Sequence, residues 1–89
     1  MSNETGQDKP IAKVTHYFNK INVAVVQVTE DEIKVGDTLV FRGHGNEFTQ
    51  QINSLQVEHQ NVDTIKAGES AGLKVDEPVK EGDLIYRAE

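Results

Sequence analysis

The sequence predicts an all-β chain, a single six-stranded closed antiparallel β-barrel, and three observations carry that expectation. First, a Lys-x-Gly-acid segment occurs three times, as Lys34-Val35-Gly36-Asp37, Lys66-Ala67-Gly68-Glu69 and Lys80-Glu81-Gly82-Asp83. A glycine ahead of an acidic residue suits a turn that needs one residue at positive φ, which Gly adopts without steric cost. Gly36, Asp37, Gly68, Gly82 and Asp83 are therefore the expected structural turn residues. Second, a short run of alternating apolar and polar residues follows each turn, the period of a half-buried strand. Third, no strong helical stripe occurs outside residues 47–60, where a helix competes with a strand. Short strands punctuated by polar turns point to a sandwich or a barrel, and in a chain this small closure removes the exposed edges.

Residues 1–9 are polar and aperiodic and read as a disordered tail, with the β-domain over residues 10–89. The first strand is residues 11–18, with Ala12, Val14, His16 and Phe18 sharing one face. Asn19, Lys20 and Asn22 make the turn into the second strand, residues 23–29, in which five of seven residues are Val or Ala. Glu30-Asp31-Glu32 is a charged loop leading to Ile33 and the Gly36 turn. The third strand, residues 38–42, places Leu39 and Phe41 on one face and ends at Gly43-His44-Gly45-Asn46. Residues 47–60 form one long bent strand. Phe48, Gln50 and Ile52 have one parity, Leu55 and Val57 the other, so a bulge near Asn53-Ser54 must absorb one residue if all are to face inward. Val62 and Ile65 anchor the following loop. Ala71, Leu73 and Val75 alternate inward as the fifth strand. Glu77 is held extended by Pro78, Val79 is a small plug, and residues 84–88 close the barrel.

Composition narrows the function. A chain of 89 residues makes one domain. No cysteine is present, so neither a disulfide nor a Cys-containing zinc site can staple it. His16, His44 and His59 are irregularly spaced and do not suggest a metal site. There is no apolar run of membrane-spanning length and no signal-peptide pattern, so a soluble cytoplasmic monomer is expected. The net charge of −6 argues against general nucleic-acid coating, because basic surface supplies most sequence-independent affinity. No thiol nucleophile, nucleophile elbow or phosphate-binding G-x-x-x-x-G-K-[ST] occurs, so no enzyme, catalytic residue or cofactor is expected.

The turn pattern, with Ser54-Leu55-Gln56-Val57 and the Ala67-Gly68-Glu69 segment leading into Gly72, resembles domain 2 of the translational GTPases, the β-barrel of elongation factor Tu. The wider span of residues 11–87 is similar to two groups. One comprises small translation elongation factor-like proteins. The other is the C-terminal barrel of the collagenase-like peptidases, some of which are implicated in tRNA modification. The matching positions are turn glycines and core residues, so the resemblance implies fold and, by analogy, binding of tRNA or ribosomal RNA.

The candidate RNA-binding residues are His16, Tyr17 and Lys20 with Arg42 and His44. Aromatic rings beside cations stack bases and neutralise phosphates. The plainer reading puts Phe18 in the core, Tyr17 at the rim and the charges in solvated turns. Two functions follow: a translation-factor-like RNA-binding module, or alternatively a protein-interaction adaptor recruited to a peptidase-like or tRNA-modifying enzyme. Neither membrane nor DNA is an expected partner.

Overall fold

The computed structural model describes residues 9–43 and 46–88. The expected tail lies outside them except for Lys9, whose ammonium pairs with Glu30 at 3.2 Å. The fold is all-β. Its ten strands are β1 Ala12–Phe18, β2 Val23–Val28, β3 Glu32–Lys34, β4 Thr38–Gly43, β5 Asn46–Gln51, β6 Leu55–Val57, β7 Gln60–Val62, β8 Thr64–Lys66, β9 Ser70–Lys74 and β10 Leu84–Arg87. Eight form one sheet in the order β5-β4-β10-β1-β2-β9-β6-β7, and β3 pairs with β8 in a separate two-stranded sheet.

The six-stranded closed barrel is corrected on both counts. β3, β7 and β8 are three residues each and too short to show alternation. Among the described residues no ladder joins the outer strands β5 and β7. The sheet nevertheless curls far enough to bring β5 to the end of β9, five places along the order. There Gln50, 7% exposed, donates from Nε2 to the Lys74 carbonyl at 2.9 Å. Its Oε1 accepts from the Asp76 amide at 2.7 Å. One side chain bridges the seam where a closed barrel would have backbone pairing.

The three Lys-x-Gly-acid corners are built alike. Gly36, Gly68 and Gly82 have φ of 101°, 91° and 93°, and the amide of the acidic residue donates to the lysine carbonyl in each. The carboxylate then reaches back to the lysine amide: Asp37 to Lys34, Glu69 to Lys66 and Asp83 to Lys80, at 2.8–2.9 Å. Each corner also exchanges two backbone bonds with a buried branched residue. The glycine amide donates to the carbonyl of Ile52, Val28 or Val14, and that residue's amide donates to the carbonyl of the acid. The sequence repeat is thus a repeated hydrogen-bonding unit that clips a turn to a core position.

Inside the curl lie Val14, Val26, Val28, Leu39, Phe41, Leu55, Leu73 and Ile85, all at most 2% exposed. Ile33 and Ile65 sit opposite each other in the β3–β8 pair and cover one end of this core. The Phe41 and Phe48 rings stack with centroids 4.9 Å apart. The parity change beyond Gln51 is absorbed as the pattern requires, although by a break at residues 52–54 between β5 and β6 and not within one long strand. Phe48, Gln50, Ile52, Leu55 and Val57 all end up buried or packed on the core.

Arg87 fixes the chain's last strand to the small sheet. Its guanidinium donates to Asp37 at 2.9 Å and Asp31 at 3.2 Å, and to the Glu32 carbonyl. Partial burial works against the charge, but the hydrogen bond and charge of Asp37, helped by Asp31, outweigh it and raise the pKa above its usual value.

Candidate functional site

A bulge in β1 decides which side chains are presented. Val14 faces Val26 and His16 faces Val25, so Thr15 is the extra residue. Such an insertion moves every later side chain to the opposite face. Beyond it Tyr17 lies opposite Ala24 and packs on the core, while Phe18 lies opposite Val23 and is 46% exposed. The expectation that Phe18 faces inward with Ala12 and Val14 is corrected for this reason. No local signal announces the bulge, because Thr15 reads as an ordinary strand residue; its hydroxyl donates to the Val25 carbonyl at 3.2 Å.

The hairpin joining β1 and β2 therefore ends in an apolar tip. Ile21 is 57% exposed beside Phe18. Asn22 takes a positive φ of 57° and its side-chain oxygen accepts from the Tyr17 hydroxyl at 3.4 Å. His16 packs its ring edge on Phe18, centroids 4.4 Å apart, and its Nδ1 lies 3.1 Å from Glu81. An open depression of about 350 Å³ is lined by Tyr17, Phe18, Asn19, Lys20 and Ile21. A second, of about 280 Å³, shares Phe18 and Ile21 and runs along Val23, Val25 and Gly72 to Glu58 and His59 in the β6–β7 turn.

The candidate RNA-binding residues divide between two places. His16, Tyr17 and Lys20 belong to this tip. Arg42 sits in the row Arg42–Leu84–Lys13 across β4, β10 and β1, and β1 continues five residues beyond that row. Its guanidinium is bonded to Glu47 at 2.8 Å and lies 4.7 Å above the Tyr86 ring. The hydrogen bond and charge of Glu47 raise the Arg42 pKa above its usual value. His44 lies outside the described residues. No group of three or more His, Cys, Asp or Glu placed to hold a metal occurs among the described residues.

No protein-family model matches the chain. The crystal structure of the C-terminal domain of a Geobacillus thermoleovorans protein assigned as a U32 peptidase superposes with a TM-score of 0.85, covering 99% of this chain and 100% of that domain at 22% identity. Its selenomethionine variant gives 0.82 over 89% of this chain and 99% of that one. The fold is that of a U32 peptidase C-terminal domain. An uncharacterized protease of Methanocaldococcus jannaschii is 32% identical over 77 residues, which is 85% of this chain but 19% of that protein. The chain thus spans about a fifth of this curated relative.

These likenesses overturn the reading as a translation-factor module, along with the translation and elongation-factor assignments drawn from it. They extend over the whole domain of a peptidase-type protein. The elongation-factor resemblance rested on corner glycines and core positions, which any domain built from these corners requires. The peptidase resemblance is the one that the findings support.

Proposed function

We propose that this chain is a non-catalytic docking domain that works with the catalytic part of a U32-type peptidase through protein–protein contact. The observation that carries this reading is the near-complete coverage in both directions between this chain and the Geobacillus C-terminal domain. The chain's own chemistry supports the non-catalytic part: it has no thiol, and His16 is spent on Glu81 and Phe18 and not on a nucleophile. In this proposal the curled sheet serves as a barrel, its seam bridged by Gln50, that presents loops at its ends.

The test uses the Geobacillus peptidase with its C-terminal domain deleted. Titration calorimetry with this chain is expected to give a dissociation constant in the micromolar range, about −8 kcal/mol. Peptide hydrolysis is expected from the truncated enzyme, raised by added chain, and none from the chain alone. Hydrolysis by the chain alone, or no binding up to about 100 μM, would overturn the proposal.

A further inference from the structure

We infer that the Asn53–Ser54 peptide is a modification site, where Asn53 deamidates through a succinimide and leaves aspartate and isoaspartate beside the first corner. The reaction needs water and solvent base but no second protein, so the residues themselves decide where it happens.

Three observations single out this asparagine. The first is its successor. The six asparagines of the chain are followed by Glu4, Lys20, Val23, Glu47, Ser54 and Val62. A long or β-branched side chain crowds the main-chain nitrogen that must attack, and serine is the small exception. The second is freedom from hydrogen bonds. The carboxamides of Asn22 and Asn61 are held by the Tyr17 hydroxyl and the Gln56 amide. Among the described residues no such bond holds the Asn53 carboxamide, and the Ser54 amide enters no main-chain bond. The third is position. Asn53 is exposed and lies with Ser54 in the break between β5 and β6, so base reaches it and no ladder fixes the peptide. Asn61, by contrast, sits in β7 opposite Gln56.

The chemistry uses only atoms of these two residues and water. The Ser54 nitrogen gives its proton to solvent base and attacks Asn53 Cγ. The new N–Cγ bond forms, the Cγ–Nδ2 bond breaks, and the nitrogen leaves as ammonia after taking up a proton. Water then opens the succinimide at either carbonyl. Cleavage of the N–Cγ bond gives aspartate; cleavage at the main-chain carbonyl gives isoaspartate, whose main chain runs through the side chain and is longer by a methylene. Either product adds a negative charge to a chain already at −6.

The break is a consequential place for that methylene. Ile52 is clipped to the first corner, its amide donating to the Asp37 carbonyl at 2.8 Å and its carbonyl accepting from the Gly36 amide at 2.7 Å. On the other side Leu55 is fully buried and paired with Val62. Residues 52–54 absorb the parity change between the two strands, so a longer main chain there pulls on the clip. Isoaspartate therefore loosens the corner, whereas aspartate leaves it closed.

The experiment incubates the intact chain in mildly alkaline buffer and locates each converted asparagine by peptide mapping, with an isoaspartyl methyltransferase to count isoaspartate. Asn53 is expected to convert before Asn19 and Asn61 and to give both products. Ser54→Val is expected to slow it at least about tenfold. Amide exchange at Gly36 and Ile52 is expected to accelerate in the aged protein and not in Asn53→Asp, which carries the charge without the methylene. Earlier conversion of Asn19 or Asn61, aspartate without isoaspartate, or Ser54→Val converting as fast as wild type would overturn the assignment. Unchanged exchange in the aged protein would overturn the loosening of the corner. The order of conversion within the wild-type chain keeps the test decisive should Ser54→Val fold poorly.

Discussion

Replacing Gln50 with leucine tests whether one side chain holds the curled sheet shut. Leucine matches the size of glutamine and suits a site that is 7% exposed, so the perturbation is the loss of the bonds to the Lys74 carbonyl and the Asp76 amide. Each bond contributes about 1 kcal/mol net, and a backbone group left buried and unpaired costs about 1–3 kcal/mol. Lys74 and Asp76 are exposed residues, so water reaches some of the freed groups and the lower figures apply to part of the loss. The sum is about 2–3 kcal/mol, which for a domain of this size lowers Tm by roughly 10–20 °C. Urea denaturation followed by far-ultraviolet circular dichroism measures it. Gln51→Leu is the control, since Gln51 is exposed and its side chain makes a longer 3.3 Å bond to the Gly36 carbonyl; a change within about 0.5 kcal/mol is expected there. Hydrogen exchange along β5 should accelerate in Gln50→Leu and not in Gln51→Leu. A Gln50→Leu protein within about 0.5 kcal/mol of wild type would refute the reasoning, because the seam would then be held by something other than these two bonds.

Other substitutions probe the corners and the clasp. Gly43→Ala would set a Cβ 2.4 Å from Asp83 Oδ1 and 2.6 Å from its Cγ. Asp83 is pinned by its bond to the Lys80 amide, so a loss of about 1–3 kcal/mol is expected in urea denaturation. Replacing Glu58-His59 with Asn-Gly relieves two positive-φ residues and should stabilise the domain by roughly 1 kcal/mol, read as a higher urea midpoint at unchanged slope. Arg87→Ala removes the bonds to Asp31, Asp37 and the Glu32 carbonyl. Because the side chain is 33% exposed, about 1–2 kcal/mol is expected after allowing for solvent screening, with faster amide exchange in β3 and β8.

Patterns within a few residues of one another were legible in the sequence. The three corners were read from Lys-x-Gly-acid alone, because positive φ at the glycine and a carboxylate one residue later specify the turn locally. The parity break after Ile52 and the inward set Ala71, Leu73 and Val75 followed from alternation, since Ile52, Ala71, Leu73 and Val75 are all at most 5% exposed. The tip was misread because Thr15 looks like an ordinary strand residue, and only its pairing with β2 exposes the bulge that turns Phe18 outward. Likewise Glu58-His59 carries neither Gly nor Asn to announce a hairpin, so the expected strand ran on through that turn to residue 60 and the rest of β7 was read as loop.

The sequence by itself determined the all-β class, the corners and most of the core, because period and turn chemistry are local properties. Tertiary structure decided the ten-strand count, the edges at β5 and β7, the seam closed by Gln50 and the groove that joins Phe18 and Ile21 to Glu58 and His59. These depend on which strands pair and in what register. Residues 37 positions apart, such as Ile21 and Glu58, share a surface only once β1, β2, β9 and β6 lie side by side.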